Sequence, residues 1–437
     1  MMNNRTVRFC LFLTALVATH SCSRPVTVET TGFIVDGLQV IFKETPGNPI
    51  VAGGLYLKGG ANYTGIQQAG IESFLFDAAT RGTKTLKKDE LNASLEFMGT
   101  SFKVVARYDF TGLLFQCILD QIDPSWELFT DVLLHPRFEP EELELVRQRR
   151  IAVIEAERDQ PRSYVLRIAN DLLYEGHHYG VSIHGLASMA ASVSRKDLIQ
   201  YHRSDITKNR ALLVIVGDLD LQDVTQRVRQ LARQLPQGPE LRLPTLVFDP
   251  GKPDLAVAQR SLPTNYILGL VGAPRPGHPE YPAFSAAMGI LSDQLVEELH
   301  TRYQLSTSIG AGAAQRITNM GYIQVTAAKP DSAVMVIFQA INQMIREPLP
   351  ESRLRNVLTM SITRHLLENE SVANQRDQLA QWEIVGDGWE QSDQYIPELQ
   401  VLKPQDIQSV MRKYLRNFHF GVVGNPRRVS KQLFTSR

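Results

Sequence analysis

The chain says nearly the same thing twice, and that repetition limits what it can fold into. Residues 212–220 read LLVIVGDLD and residues 420–428 read FGVVGNPRR, each an apolar run that stops at glycine and a turn. Similar elements lead up to both. In the first half, GLQVIFKE and IVAGGLYLKGG read as strands, because β-branched and aromatic residues stand between glycine and proline punctuation. GIESFLFDAATR (residues 70–81) reads as a helix, with Ile71, Phe74, Leu75, Ala78 and Ala79 at helical spacing facing a core. TSFKVVARYDFTGLLFQCI reads as a strand pair, and EELELVRQRRIAVIEAERD as a long charged helix ending near Pro161. The second half repeats this grammar. NYILGLVGAP is a strand, PAFSAAMGILSDQLVEELHTRY a helix, STSIGAGAAQ and GYIQVTAAK strands, and FHFGVVGNP the closing strand.

Between the halves, LPQGPELRLPTLVFDPGKPDL concentrates Pro and Gly, which marks a linker. A chain of 437 residues is in any case too long for one ordinary core. The expected organisation is a signal segment over 1–21, a first domain over 22–235, a linker over 236–255 and a second domain over 256–437. Composition is that of a globular protein, 43% hydrophobic and 21% charged. The 46 basic and 46 acidic residues balance, so the basic excess usual in a nucleic-acid binder is missing.

The first residues have their own logic. Arg5 and Arg8 precede an apolar run from Phe9 to Ala18 that is too short to span a bilayer and fits an export signal. Ser21 followed by Cys22 suggests cleavage with lipid attached to Cys22; the alternative is plain cleavage that releases the chain. Either route places the mature chain outside the cytoplasm, in the bacterial periplasm or envelope, with membrane contact only through a lipid on Cys22. Cys10 lies in the signal, which leaves Cys117 in the apolar setting LLFQCILD, where a buried, inert thiol is expected.

At this point the chain resembles the pitrilysin/insulinase family of zinc peptidases, which includes mitochondrial processing peptidase and bacterial relatives. The resemblance runs from about residue 30 to 430. It includes the helix GIESFLFDAATRGT, LLHPRFEPEELELVRQ, DLLYEGHHYGVSIHG, LIQYHRSDITKNRALLVIVGDL and MRKYLRNFHFGVVGNP. It implies an α+β fold of two homologous domains, each a mainly antiparallel sheet packed with helices. Family members carry His-x-x-Glu-His on that helix: two imidazoles four residues apart bind zinc, and the Glu activates the bound water. The corresponding residues here are Ser73, Phe76 and Asp77. The family's third ligand, a Glu on a later helix, falls at Val153; Glu155 and Glu157 are off that register and read as a solvated face.

Other family features are also replaced. The substrate-holding Asn-Ala pair on an edge strand becomes Lys103-Val104, and the Arg and Tyr of the second domain become Gln294 and Thr307. The resemblance therefore implies a chain with no catalytic residues, no cofactor of its own and zinc only in a partner. Family enzymes consist of four such domains enclosing peptide. The partner expected here is thus a catalytic member with intact His-x-x-Glu-His, and peptide is the substrate. Two alternatives remain at this stage: a stand-alone envelope scaffold or peptide-binding protein, and an active peptidase with a relocated metal. For the last, the histidines of GHHYGVSIHG (His177, His178 and His184) are the candidates, although the family has a structural loop there.

Overall fold

The computed structural model describes residues 29–243 and 251–436. The expected signal segment and Cys22 lie outside the described residues, as does the middle of the Pro/Gly-rich linker.

Two sheets account for the repetition. The first has six strands: β1 (Thr30–Val35), β2 (Leu38–Glu44), β3 (Ile50–Lys58), β4 (Ser101–Ala106), β5 (Phe110–Ile118) and β6 (Ala211–Gly217), in the order β1-β2-β6-β3-β5-β4. The second has five: β7 (Asp254–Gln259), β8 (Asn265–Gly272), β9 (Ile309–Ala313), β10 (Met320–Ala327) and β11 (His419–Gly424), in the order β7-β11-β8-β10-β9. Without β1 the two orders correspond strand for strand. Each sheet is antiparallel except at one place, β2–β6 in the first and β7–β11 in the second. The fold is α+β. The repeated endings are β6 and β11, the last strands to arrive, and every residue in both is buried. A strand covered on both faces has no use for polar alternation, which is why both read as unbroken apolar runs.

What covers the second face was not legible. On one face each sheet packs its own helices, with Phe74, Phe115, Phe129 and Leu213 in the first core and Phe284, Ile337, Phe418 and Phe420 in the second. On the other face each sheet takes a helix from the opposite half of the sequence. The helix Pro161–Leu173 lays Val165, Ala169 and Leu173 on Leu268, Leu270 and Val423 of the second sheet. The helix Val372–Val385 lays Val372, Leu379 and Ala380 on Ile41, Ala52, Leu212 and Val214 of the first. Close approach is built in at Gly421, where a Cβ would come within 2.8 Å of the Val165 carbonyl oxygen. Arg376, buried on the Val372–Val385 helix, donates to the carbonyls of Gly53 (3.4 Å) and Phe115 (3.1 Å) and to the Tyr56 hydroxyl (3.2 Å). The two halves are therefore interlocked by an exchanged helix each.

Candidate functional site: a metal-binding frame closed by arginine

The helix Ile71–Ala79 follows β3 and opens at Gly70, whose φ of 91° is left-handed and whose Cβ would meet the His184 carbonyl oxygen at 2.6 Å. Only glycine is comfortable there. Phe74, Leu75 and Ala78 face the core as their spacing predicts, and Phe76 is fully buried with them. The residue standing where a general base would be is thus part of the apolar core.

Ser73 and Asp77, four apart, share one helical face. Between them lies the guanidinium of Arg150, from the long helix Pro140–Asp159. Its Nη1 donates to Ser73 Oγ at 2.8 Å, and its Nη2 pairs with Asp77 Oδ2. Ser73 Oγ in turn donates to the Gly70 carbonyl at 3.1 Å. The Arg150 side chain is 6% exposed and that of Asp77 42%. Arg150 also lies 5.7 Å from the centre of the Phe74 ring. Burial lowers the guanidinium's pKa and the Asp77 carboxylate opposes that shift; an arginine nonetheless remains protonated throughout the useful pH range. Val153, at the third-ligand position, lies one turn beyond Arg150 and is 41% exposed.

This donor set does not fit zinc. One hydroxyl, one carboxylate, one phenyl ring and a valine cannot make a tetrahedral site, and a fixed cation between the two ligand positions repels a dication. Sequence reading missed Arg150, although a signal was present: Leu143, Val146, Arg150 and Ile154 are the buried residues of that helix, spaced as one core stripe. Asp77 is the counter-ion of a buried arginine.

Beside this pair runs a second buried ion pair. Glu72 accepts from the Tyr201 hydroxyl at 2.8 Å and pairs with Arg210, both side chains being 2% exposed. Arg210 sits 3.5 Å from the centre of the Tyr63 ring. Burial, the largest single influence, would lower its pKa, but Glu72 and Tyr201 together outweigh it and the net shift is upward. Glu157 departs from the solvated face expected of it: it accepts from Ser182 Oγ at 3.0 Å and faces His184 Nε2 at 3.5 Å. Glu155 is exposed.

The remaining sequence candidates do not converge. Lys103 and Val104 lie on β4, the edge of the first sheet, with Lys103 exposed. Gln294 is buried at the end of the helix Tyr281–Leu295; Arg353 donates to its Oε1, and its Nε2 donates to Glu298 at 3.3 Å. Thr307 is exposed in the bend before β9. His177 stacks on His178 and on Tyr179, with ring centres 5.3 and 5.1 Å apart, and burial together with the neighbouring His178 pushes its pKa down to about 4. His178 Nδ1 lies 3.0 Å from the Asn62 carbonyl oxygen. Among the described residues no group of three or more His, Cys, Asp or Glu side chains is placed to hold a metal. Cys117 is buried, and burial raises its thiol pKa.

Where the halves meet, the β4–β5 turn faces the β9–β10 turn. The buried Asp109 accepts from the Tyr179 hydroxyl and, at 3.3 Å, from the backbone N–H of Ile317. Arg316 stacks 4.0 Å from the centre of the Tyr108 ring, and the Tyr174 hydroxyl donates to the Thr318 carbonyl at 2.8 Å. A cavity of 590 Å³ opens along this seam.

Comparison with known proteins agrees with the geometry. The family description "Insulinase (Peptidase family M16)" matches residues 39–185, and "Peptidase M16 inactive domain" matches residues 192–360. The second match lies beyond the helices bearing Ser73, Asp77 and Arg150, so the loss of the zinc ligands rests on those residues themselves. The beta subunit of mitochondrial-processing peptidase from Caenorhabditis elegans is 21% identical over 224 residues, 51% of this chain and 48% of that one. An uncharacterized zinc protease of Mycobacterium leprae is 20% identical over 320 residues, 71% of each chain. The match spans about half the length of the first of these relatives. Among solved structures, a peptidase M16 inactive domain from Pseudomonas fluorescens aligns with TM-score 0.82 at 18% identity, covering 91% of this chain and 98% of that one. A chain of Complex III2 from Candida albicans aligns with TM-score 0.78 at 13% identity, covering 94% and 99%. At such identities these two establish the fold alone.

Proposed function

The chain belongs to the M16 peptidase family, and from that premise we propose that it is a non-catalytic subunit of an exported zinc metallopeptidase. In this reading it forms part of the wall of a peptide-enclosing chamber, and a second family member with intact His-x-x-Glu-His supplies the zinc. The observation that carries the reading is Arg150: its guanidinium binds Ser73 and Asp77 where the two imidazoles would stand, so the helix keeps its frame without metal. Phe76 in the core removes the base as well. Export rests on the arginine-led apolar run before Cys22, and any membrane attachment on lipid at that cysteine; among the described residues no helix is long and apolar enough to cross a bilayer.

Capture of the tagged chain from its native envelope tests the proposal, with mass spectrometry of bound chains and a chelator-sensitive peptide-cleavage assay on the eluate. A co-captured M16 chain with intact zinc motif and chelator-sensitive activity is the expected result. Capture of the chain alone, with a silent eluate, would contradict it. A second reading, a scaffold without any peptidase partner, draws on the likeness to a chain of Complex III2. Capture of an unrelated envelope assembly and no M16 chain would favour it.

A further inference from the structure

The seam cavity has a chemistry that the chamber reading does not by itself supply. Its volume of 590 Å³ and its place between two domains are those of a ligand site rather than a packing defect. One wall is the helix Pro161–Leu173, and Asn170 stands on it, 2% exposed. Asn170 Nδ2 donates to the Tyr108 hydroxyl at 3.4 Å, but its Oδ1 is buried without a hydrogen-bond partner. A buried acceptor left unpaired costs about 1–3 kcal/mol, so such an atom marks a place where a donor belongs.

The charges lining the cavity are of two kinds. Glu157 is occupied by Ser182 and His184, and the buried Asp109 by Tyr179 and Ile317. Arg167 faces Asp171 only at 3.9 Å. Arg107 and Arg316 form no direct ion pair among the described residues, although the charge of Arg316 is felt by the buried Asp109; Arg316 is held by the faces of Tyr108 and Tyr174 and by Met320 Sδ at 3.8 Å. Glu368 stands exposed at the rim and forms no ion pair with these cations. The site thus offers guanidinium forks, which suit carboxylate geometry, beside a buried acceptor that suits an amide N–H.

We infer that this cavity is a subsite for an acidic residue of a bound peptide, with Arg316 and Arg107 receiving the side-chain carboxylate and Asn170 Oδ1 accepting from a peptide N–H. The inference rests on the chamber reading for the nature of the ligand, and the test below separates the two.

Calorimetric titration of the full chain at low salt compares two short acetylated, amidated peptides, one with a central glutamate and its glutamine twin. The glutamate peptide should bind about tenfold tighter, the scale of one charge-assisted pair at a partly exposed site. Arg316→Gln should abolish the preference, and Arg107→Gln should reduce it. Arg107 is exposed, so the second variant keeps the test valid if loss of Arg316 loosens the seam, which a thermal melt reveals. Equal binding of the twins, no binding of either, or a preference that survives both substitutions would each overturn the inference. Free glutarate competing as well as the peptide would make the ligand a small dicarboxylate and overturn the peptide assignment. None of these results bears on co-capture of a catalytic partner, and a missing partner with an intact carboxylate preference would remove the chamber reading alone.

Discussion

The two domains share one strand order, yet their corresponding helices end in different polar chemistry. In the first, the helix Ile71–Ala79 meets Arg150 through a hydroxyl and a carboxylate. In the second, the helix Tyr281–Leu295 meets Arg353 through the neutral amide of Gln294. Both arginines come from a later long helix of the same half, Pro140–Asp159 or Glu351–Glu368. In both domains the core-facing residues of the site helix are a separate set from those that meet the arginine. That separation explains how a zinc ligand set can be replaced without loss of the fold. It also makes the first domain the more vulnerable, because there a buried cation depends on a single carboxylate.

The largest expected effect follows from that dependence. Asp77→Ala leaves the buried Arg150 without its counter-ion and should cost about 3 kcal/mol in urea denaturation, the lower end for a broken buried pair. Arg150→Met should cost less, about 1 kcal/mol, because the Asp77 side chain is 42% exposed and water can take it over. In the second domain Gln294→Leu removes only a neutral partner, and the half-buried Arg353 can turn outward; a loss of about 1 kcal/mol is expected. Equal losses for Asp77→Ala and Gln294→Leu would break the comparison.

The seam between the domains should respond to pH. Burial raises the Asp109 pKa to about 6, against hydrogen bonds from Tyr179 and Ile317 and the charge of Arg316, which lower it. An acid whose folded pKa exceeds its unfolded value favours folding when protonated. That contribution is full below the unfolded value of 3.8 and is lost as pH rises through about 6. The free energy of unfolding across that window should therefore fall with rising pH for this group, by an amount on the order of 2–3 kcal/mol, and the slope should flatten in Asp109→Asn. A slope unchanged in the variant would assign the titration elsewhere.

The smallest effect is expected at Val153. Val153→Glu restores the carboxylate at the third-ligand position on an exposed face, so stability should move by less than about 0.5 kcal/mol and no zinc should be recruited. Zinc uptake by this single variant would show that Arg150 does not block the site.

Much of this arrangement could be read from residue order. The repeated endings became β6 and β11, and the apolar spacing of Ile71, Phe74, Leu75 and Ala78 gave the site helix its core face. Arg150 was hidden because QRR in a charged helix looks solvated until its phase with Leu143, Val146 and Ile154 is followed. The exchanged helices were hidden for a different reason. The amphipathic pattern of Val165, Ala169 and Leu173 requires an apolar surface but does not say which sheet provides it. Glu157 was misjudged because its partners, Ser182 and His184, arrive from a loop across the fold.

The most direct test of the central claim is the zinc content of the purified full chain after equilibration with excess zinc and removal of free metal, beside the Asp77→Ala variant. With Arg150 between Ser73 and Asp77, neither protein should retain stoichiometric zinc. One zinc per chain in the wild type, lost in Asp77→Ala, would show that the arginine yields to a metal and would contradict the account.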